Sequence, residues 1–377
     1  MTHPLHVAIL GTRGVPAKYG GFETAVEEIG CRLADWGHRV TVYARNPGQT
    51  LTEYRGMRVI NAPAVRTKTA ETLSHTAITT LHSIRRERTD VALLMNAANA
   101  PLLPVFRRSG IPTVIHLDGL ESRRAKWRGT GARYYRWAEK WATKWADRVI
   151  SDSREIQRII NDKYGLESDF IPYGAEVISP VGGRLPEMNL VRRDYHLVVA
   201  RFEPENHVLE AVHAYRVSDE TRPLVVVGSS PYSHWYTRRV EEAAAGDSRI
   251  RLVGGIYDKE LLDQLYANCR TYIHGHSVGG TNPSLLRAMG TGAPVLAFDC
   301  VFNREVLDDG GYFWASVSEL TEYFDEIADG DEDDEVARQL NEFSRQGRDR
   351  IVTEYSWDAV ARDYERVLLE VVQGKGR

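Results

Sequence analysis

The sequence has little cysteine and no long apolar run, and each absence excludes a class of protein. Its three cysteines, Cys31, Cys269 and Cys300, are far apart among 377 residues. There is no CxxC pair and no Cys/His cluster, which argues against a structural zinc site and favours a reducing cytoplasm. No stretch approaches the roughly 18 apolar residues of a membrane-spanning helix.

Excess charge and a secretion leader are also missing. The net charge is −4, which gives no case for a nucleic-acid partner. The N-terminal MTHPLHVAIL has no basic leader and too short an apolar core, so we expect no signal peptide. A hydrophobic content of 42% is ordinary for a globular protein. A chain of 377 residues exceeds what one core usually serves, so we expect two domains.

Short apolar strands alternate with amphipathic helices in both halves of the chain. Residues 6–10 form the first predicted strand, and a helix with apolar residues at helical spacing follows it. Such β–α–β units build parallel sheets. We therefore expect an α/β fold with doubly wound, Rossmann-like domains at 1–178 and 190–356, facing a central cleft. A C-terminal helix at 357–377 is expected to pack toward the first domain.

The stretch at 274–299 combines a glycine turn with the start of a helix. Gly279 and Gly280 follow a predicted strand, and Pro283 fits the first helical turn with Asn282 as N-cap. Free N–H groups and the helix dipole at such a start favour an anion. A strand–turn–helix unit also needs glycine for conformational reasons alone. This stretch by itself does not decide between an anion site and a purely structural turn.

The loop after the first strand is long and rich in glycine. It lacks the compact GxGxxG of dinucleotide-binding proteins. Its glycines are spread over eleven positions, with two basic residues among them: Gly11, Gly14, Gly20 and Gly21, with Arg13 and Lys18. A loop of this length can cover a ligand, and a flexible connection without a ligand is the alternative.

Polar residues also follow two further predicted strands. A strand at 114–117 contains His116 and leads into Asp118, and the first strand of the second half leads into Arg201 and Asn206. Open α/β sheets place ligand-binding groups at the carboxyl ends of their strands. An ordinary strand-end histidine would produce the same pattern at His116.

Residues 122–148 combine tryptophan with positive charge. Two adjacent stripes, one aromatic and one basic, recur every four residues: Trp137, Trp141 and Trp145 beside Arg136, Lys140, Lys144 and Arg148. Such a helix can lie at a membrane surface, with tryptophan at the interface and cations on anionic headgroups. Alternatively, the tryptophans pack into the domain core and the cations are simply solvated.

Taken together, the sequence resembles the retaining glycosyltransferases of family 4, which have the GT-B fold, over nearly its whole length. The segment GTRGVPAKYGGFETAVEEI is similar to a subgroup of bacterial rhamnosyltransferases that build cell-wall and capsular polysaccharides. ARFEPEN and HSVGGTNPSLL match that subgroup too. The resemblance implies an acceptor-side first domain and a second domain that binds a nucleotide sugar. It also implies transfer of a sugar, which we interpret as L-rhamnose from dTDP-rhamnose, to a lipid-linked saccharide.

The resemblance assigns roles to residues at matching positions. Arg201 corresponds to the basic residue that holds the donor diphosphate, and His116 to the histidine beside the transferred sugar, where it is not a general base. The remaining donor-binding positions are Gly14, Gly20, Gly21, Asn206, Gly279, Gly280, Thr281, Asn282, Ser284, Leu285 and Arg287. Lys18, Tyr19 and Asp118 are expected on the acceptor side. Such enzymes are described by a front-face route without metal, so the resemblance implies no cofactor besides the sugar-nucleotide substrate.

Three positions depart from the family pattern. A lysine is expected at Asn206, and glutamates are expected at Gly279 and Arg287. Gly279 agrees with the rhamnosyltransferase-like subgroup, in which backbone N–H groups replace the carboxylate. Arg287 is interpreted either as reaching a donor phosphate, offsetting the lysine missing at Asn206, or as pointing to solvent with donor binding weakened.

Two functions of different class therefore stay open. One is a cytoplasmic glycosyltransferase, peripheral on the inner face of the cell membrane. The other is a catalytically silent GT-B protein that serves as a partner subunit or a nucleotide-sugar sensor. A nucleotide-sugar epimerase of similar fold fits the sequence less well, because the GGTNPSLL motif is not typical of such epimerases. Arg201, His116 and the glycine loop together favour the enzyme.

Overall fold

A computed structural model describes residues 3–17, 20–45, 50–65, 71–117, 119, 129–179, 183–229, 234–330 and 334–374. The chain divides into two compact units. Unit 1 comprises Met1–Tyr173 and Trp357–Arg377, and unit 2 comprises Gly174–Ser356. Each unit is built on its own sheet, flanked by helices, so the α/β fold with two parallel-sheet domains is confirmed.

Unit 1 contains, among its described residues, an eight-stranded sheet in the order β3-β4-β2-β1-β5-β6-β7-β8. The strands are β1 (His6–Leu10), β2 (Arg39–Ala44), β3 (Glu53–Tyr54), β4 (Met57–Asn61), β5 (Val91–Met95), β6 (Thr113–Leu117), β7 (Arg148–Ser151) and β8 (Asp169–Phe170). Neighbouring strands are parallel except at the β3–β4 edge. The strand order reverses at β1, and ligands of open α/β sheets bind at such reversals.

The helices of unit 1 cover this sheet with their apolar faces. They are α1 (Gly21–Asp35), α2 (Glu71–Arg86), α3 (Leu103–Arg108), α4 (Thr130–Trp145), α5 (Arg154–Tyr164) and α13 (Trp357–Val372). The predicted apolar positions of α1 are confirmed, since Ala25, Ile29 and Leu33 are at most 1% exposed. The C-terminal helix α13 packs on α1, and Asp358 accepts a 2.6 Å hydrogen bond from Arg32.

Unit 2 contains six strands in the order β11-β10-β9-β12-β13-β14, all parallel within its described residues. The strands are β9 (His196–Val199), β10 (Leu224–Val227), β11 (Ile250–Gly254), β12 (Thr271–His274), β13 (Val295–Phe298) and β14 (Tyr312–Trp314). The helices are α6 (Val208–Val217), α7 (His234–Ala244), α8 (Lys259–Asn268), α9 (Pro283–Thr291), α10 (Val301–Leu307), α11 (Val317–Asp329) and α12 (Glu335–Thr353). The order reverses between β9 and β12, which places the loops after these strands side by side.

The division between the units lies slightly earlier than the expected boundary at residue 178. Residues 174–178 belong to unit 2 because their backbone bonds to other parts of that unit. The Ala175 N–H donates to the Tyr355 carbonyl at 2.8 Å, and the Ile178 N–H donates to the Gly290 carbonyl at 3.0 Å.

Candidate functional site

The carboxyl edge of the unit 2 sheet brings two of the predicted donor segments together. The loop after β9 contains Arg201, and the loop after β12 contains the glycine turn. Backbone contacts join the loops: the Ser277 N–H donates to the Glu205 carbonyl at 2.9 Å. The His207 Nδ1 atom lies 2.7 Å from the Gly275 carbonyl oxygen. The two loops therefore form one hydrogen-bonded surface at the point where the strand order reverses.

The predicted start of α9 is confirmed. Pro283 is the first helical residue, and the Oδ1 atom of Asn282 accepts the Ser284 N–H at 2.9 Å. The Leu286 N–H donates to the Asn282 carbonyl oxygen, and Pro283 has no N–H. Among the described contacts, the Leu285 N–H is then the first-turn donor without an acceptor. It lies at the positive end of the helix, and Leu285 is fully buried there.

Several donor-site residues can contribute little besides backbone. Gly279 has a φ of 128°, which favours glycine, and Gly280 follows it. Thr281 is 3% exposed and Leu285 is fully buried, so their side chains pack inward. This turn therefore has mainly backbone groups to present.

Arg201 and Asn206 occupy one loop in different ways. Arg201 is exposed, and the described contacts give its guanidinium no partner. Asn206 is 5% exposed, and its Nδ2 atom donates to the Arg201 carbonyl at 2.8 Å. Asn206 thus shapes the loop that presents Arg201. The adjoining His207 has a φ of 48° and stacks on Phe298 at 4.0 Å between ring centroids, a strained conformation of the kind found at functional sites.

Neither expectation for Arg287 describes its position. Its Nε atom donates to Asp263 on α8 at 2.5 Å, and its Nη2 atom donates to the Lys259 carbonyl at 2.9 Å. The guanidinium also lies 5.9 Å from the ring centroid of Tyr266. Arg287 therefore joins α9 to α8 and does not extend into solvent. A phosphate contact would require this ion pair to open.

The glycine loop of unit 1 is held against α1 by glutamates that the sequence reasoning did not single out. Glu23 accepts the Arg13 N–H at 3.1 Å, and Glu27 accepts the Ala17 N–H at 2.7 Å. Gly14 has a φ of 90°, and a Cβ atom there would lie 2.3 Å from the Cβ atom of Ala44. Hydrogen bonds and close packing therefore hold the loop between β1 and α1 in place.

The remaining predicted residues of unit 1 lie at the start of α1 or outside the described residues. Gly20 is the N-cap of α1, and Gly21 is its first residue. Lys18, Tyr19 and Asp118 lie outside the described residues.

His116 lies in β6 and is enclosed by aromatic rings. Its side chain is almost fully buried, and its Nδ1 atom is 2.6 Å from the hydroxyl of Tyr364 on α13. The rings of Phe22 and Tyr173 pack around it, with centroids 5.4 and 5.6 Å away. These three neighbours come from distant parts of the sequence, so local patterns could not identify them.

This enclosure determines the charge of His116. Burial lowers the pKa of His116 to about 3, so its imidazole is neutral at physiological pH. When the Tyr364 hydroxyl donates to Nδ1, the proton of the neutral ring lies on Nε2. The Nε2 atom is buried and has no hydrogen-bond partner. His116 is thus prepared to donate one hydrogen bond, and as a general base it would be weak near neutral pH.

The helix α4 does not place its tryptophan stripe in the core. Its buried residues are mostly small, with one tyrosine and one glutamate among them: Ala132, Tyr135, Ala138, Glu139, Ala142 and Thr143. The tryptophans stack along the flank, with ring centroids 5.0 Å apart for Trp137 and Trp141 and 5.7 Å for Trp141 and Trp145. Trp137 is 44% exposed. The core alternative is therefore wrong for Trp137, and Trp141 and Trp145 are half-buried.

The basic stripe is exposed over the described part of this segment, with one correction. Arg136, Lys140 and Lys144 are exposed on α4. Arg148 lies in β7 and binds Asp169 and Glu370, so it is not part of the stripe. Residues 122–128 lie outside the described part of the chain. None of the described helices is both long and apolar enough to cross a bilayer.

Two family models match the chain. Residues 4–176 match a domain of unknown function (DUF1972), and residues 189–347 match the family described as Glycosyl transferases group 1. The GtfA subunit of a UDP-N-acetylglucosamine–peptide N-acetylglucosaminyltransferase from Streptococcus gordonii is 30% identical over 161 residues. That match spans 41% of this chain and 30% of the length of the curated relative.

Solved structures resemble the chain over nearly its full length. Sucrose-phosphate synthase from Thermosynechococcus elongatus matches with a TM-score of 0.83 at 19% identity, covering 98% of this chain and all of that one. HepE from Anabaena, in complex with UDP-glucose, matches with a TM-score of 0.76 at 15% identity over 97% of this chain and 99% of that one. At these identities the likeness shows the fold, which is GT-B. The group 1 domain and this fold together support a glycosyltransferase.

Proposed function

We propose that the chain is a retaining, nucleotide-sugar-dependent glycosyltransferase of family 4, in its rhamnosyltransferase-like subgroup. Its donor is a dTDP sugar, dTDP-rhamnose by preference, and its acceptor is a lipid-linked saccharide of cell-wall or extracellular polysaccharide synthesis. One observation carries the activity. An exposed, unpaired Arg201 and the glycine turn before α9 lie on hydrogen-bonded loops at the strand-order reversal of a group 1 domain.

Unit 2 supplies what a leaving diphosphate requires. The Arg201 guanidinium can form charge-assisted hydrogen bonds to the diphosphate as negative charge grows on it. The Leu285 N–H and the turn at Gly279–Asn282 offer backbone donors at the positive end of α9. In the front-face route, a leaving phosphate oxygen accepts the acceptor proton, so no side chain has to act as the general base.

His116 has a different role in this proposal. Its Nε2–H donates a hydrogen bond to a hydroxyl of the transferred sugar, and Tyr364 fixes the tautomer that makes this possible. A neutral donor suits a site where positive charge develops on the sugar ring, because a second positive charge there would oppose it.

The preference for a deoxyribose nucleotide comes from the two missing glutamates. The position at which relatives bind the ribose hydroxyls is Arg287, and Asp263 already engages it. A dTDP donor lacks the 2′-hydroxyl, so it depends less on that carboxylate. The similar protein from Streptococcus gordonii is named for UDP-N-acetylglucosamine, and HepE was solved with UDP-glucose, so UDP sugars are the principal alternative donors.

We further propose that α4 brings the enzyme to the membrane surface that carries its acceptor, on the cytoplasmic face. The stacked tryptophans are available at the flank of the helix, and Arg136, Lys140 and Lys144 are exposed beside them. Tryptophan partitions to the interface, and each basic residue near an anionic surface adds about 1 kcal/mol.

The test is a donor screen followed by a transfer assay. Thermal unfolding of the full chain is measured with UDP, GDP and dTDP sugars, and the stabilising donor is incubated with undecaprenyl-diphosphate N-acetylglucosamine. We expect stabilisation by a dTDP sugar and a product with retained anomeric configuration. The variant Arg201→Ala should lose both signals, and Arg239→Ala, an exposed arginine on α7, should keep them.

The alternative is a catalytically silent protein that senses nucleotide sugars or serves as a partner subunit. The departures at Asn206, Gly279 and Arg287 favour it, because the first of these side chains shapes a loop and the last joins two helices. Stabilisation by a nucleotide sugar without transfer to any acceptor, and without hydrolysis of the donor, would select this alternative. No stabilisation by any nucleotide would contradict the enzyme and the sensor, and would leave the partner subunit.

A further inference from the structure

The amino-terminal edge of the unit 2 sheet contains a cavity of about 180 Å³. Arg193 and Arg270 line it, just before β9 and just before β12. Its other side is α12, through Ala337 and Leu340, and Asn341 lies exposed beside them. The strands run away from this cavity toward the loops of the candidate donor site, so the cavity is separate from that site.

Arg270 is a buried cation whose side chain has no hydrogen-bond partner among the described residues. It is 8% exposed, and its Nε and Nη2 atoms are both buried with no hydrogen-bond partner. Burying an unpaired guanidinium is unfavourable, because the charge loses its hydration and gains nothing in return. A binding partner of opposite charge would remove this cost.

Arg193 adds a second positive charge in an unusual backbone conformation. Its φ is 62°, which is rare for a residue with a side chain, and its Nη1 atom donates to the Cys269 carbonyl at 2.8 Å. Burial lowers the pKa of Arg193 and of Arg270, and the charges of neighbouring arginines lower both further. The cavity is therefore a region of positive potential.

The two nearby carboxylates that influence Arg270 are already engaged within the described part of the chain. Glu220 binds His196 at 2.9 Å and Arg222 at 3.0 Å. Asp334 caps α12, where its Oδ1 atom accepts the Ala337 N–H at 2.7 Å. Neither carboxylate hydrogen-bonds to Arg270.

We propose that this cavity binds a small tetrahedral oxyanion, either free phosphate or the phosphate of a small monoester, between Arg193 and Arg270. A volume of about 180 Å³ holds several water molecules, which is enough for such an anion. Guanidinium groups match the geometry of phosphate oxygens, and Asn341 offers an amide to an ester substituent. Bound anion would stabilise the starts of β9 and β12, the strands that lead to the donor loops.

The experiment is thermal unfolding of the full chain in sodium phosphate and in sodium chloride of equal ionic strength. We expect a saturable rise in Tm of about 3–6 °C at ten times the dissociation constant. Arg270→Met should abolish the rise, and its Tm in chloride should not fall, because it removes an unpaired buried charge. Arg239→Gln on α7 is the matched control and should respond as the wild type does.

A second measurement with glycerol 1-phosphate distinguishes a monoester from free phosphate. A larger rise in Tm than with phosphate identifies an ester as the ligand, and a smaller rise identifies free phosphate.

Three outcomes would overturn the proposal. One is a linear, unsaturable rise that is equal in all three proteins, since phosphate salts stabilise proteins generally. Another is loss of the response when a bound nucleotide occupies the donor site, which would assign the anion to that site. The third outcome applies if Arg270→Met does not fold and Arg193→Gln is used in its place. It is a saturable rise in Tm that Arg193→Gln retains.

Discussion

Units 1 and 2 share the parallel α/β design but present their candidate functional groups in opposite ways. In unit 1, His116 is buried among three aromatic rings and carries one fixed hydrogen bond. In unit 2, Arg201 is exposed on a loop, and its neighbours offer backbone groups. The sheet of unit 1 thus holds a rigid, buried side chain, whereas the sheet of unit 2 leaves a charged side chain exposed and available for a ligand.

Under the proposed function, the charge of the donor diphosphate accounts for the difference between the two designs. An arginine that binds a diphosphate must be hydrated when the ligand is absent, because burying it unpaired is costly. A histidine that donates one neutral hydrogen bond can be buried beforehand, and its orientation then costs no entropy on binding.

The largest effect is expected for Arg201→Ala. It removes the charge proposed to stabilise the leaving diphosphate, and transfer should fall about 10²- to 10³-fold, the usual cost of losing one such donor. Arg201→Lys should recover part of the rate, because it restores the charge without the bidentate geometry. Initial rates of nucleoside diphosphate release measure both. Wild-type rates in Arg201→Ala would remove this residue from the site.

The second prediction compares one tryptophan and one basic residue on a helix of each unit, with Trp141 half-buried and Trp235 exposed. Trp141→Ala with Lys144→Glu in unit 1 should reduce binding to anionic vesicles at least tenfold, since both the interfacial ring and the charge are lost. Trp235→Ala with Arg238→Glu on α7 of unit 2 has the same spacing, and Trp235 is 57% exposed. Binding of this control to the same vesicles should equal wild type. Co-sedimentation of both variants at wild-type levels would refute the membrane role of α4.

The third prediction concerns the pH dependence of stability. Because burial lowers the pKa of His116 from its ordinary 6.5 to about 3, the unfolded chain binds a proton in that window and the folded chain does not. Stability from this group is complete above pH 6.5 and is lost as the pH falls. Between pH 7 and 5, wild type should lose about 2 kcal/mol more than His116→Gln. Urea unfolding measures this, with the exposed His213→Gln as control, and equal losses would contradict the buried neutral ring.

The smallest effect is expected at Arg287. Its partly exposed pair with Asp263 should contribute about 0–1 kcal/mol, so Arg287→Ala and Asp263→Ala should each change stability only slightly. Nucleotide affinity should stay within twofold of wild type, because the guanidinium is engaged away from the ligand. A tenfold loss of dTDP affinity in Arg287→Ala, with Asp263→Ala unaffected, would show instead that Arg287 reaches a donor phosphate.

Much of the fold could be predicted because local signals agreed with it. The apolar runs at β1, β5 and β6, the helical spacing in α1 and the cap at Asn282 were all explicit in the sequence. The short elements α3, α10 and β14 cannot be predicted in this way, because six, seven and three residues are too few to show a period. Their existence depends on packing in the tertiary structure.

The candidate site shows the same contrast between features that are local in the sequence and contacts between distant residues. Arg201 and the glycine turn could be located from sequence because strand ends and helix caps are local features. The surroundings of His116 could not, since Tyr364 is 248 positions away. The contacts of Arg287 could not be predicted for the same reason: its partner Asp263 lies on another helix, and nothing in the local sequence identifies an ion pair between helices.

The most direct measurement is the affinity of the nucleoside diphosphate for two variants, by calorimetry, beside their transfer rates. Arg201→Ala should weaken binding about 10- to 100-fold, as expected for a hydrogen bond to a charged group. His116→Gln should bind within twofold of wild type while its transfer rate falls at least tenfold. Equal affinity in Arg201→Ala and wild type, or a matching loss of affinity in His116→Gln, would contradict the assignment of donor binding to the exposed loops of unit 2.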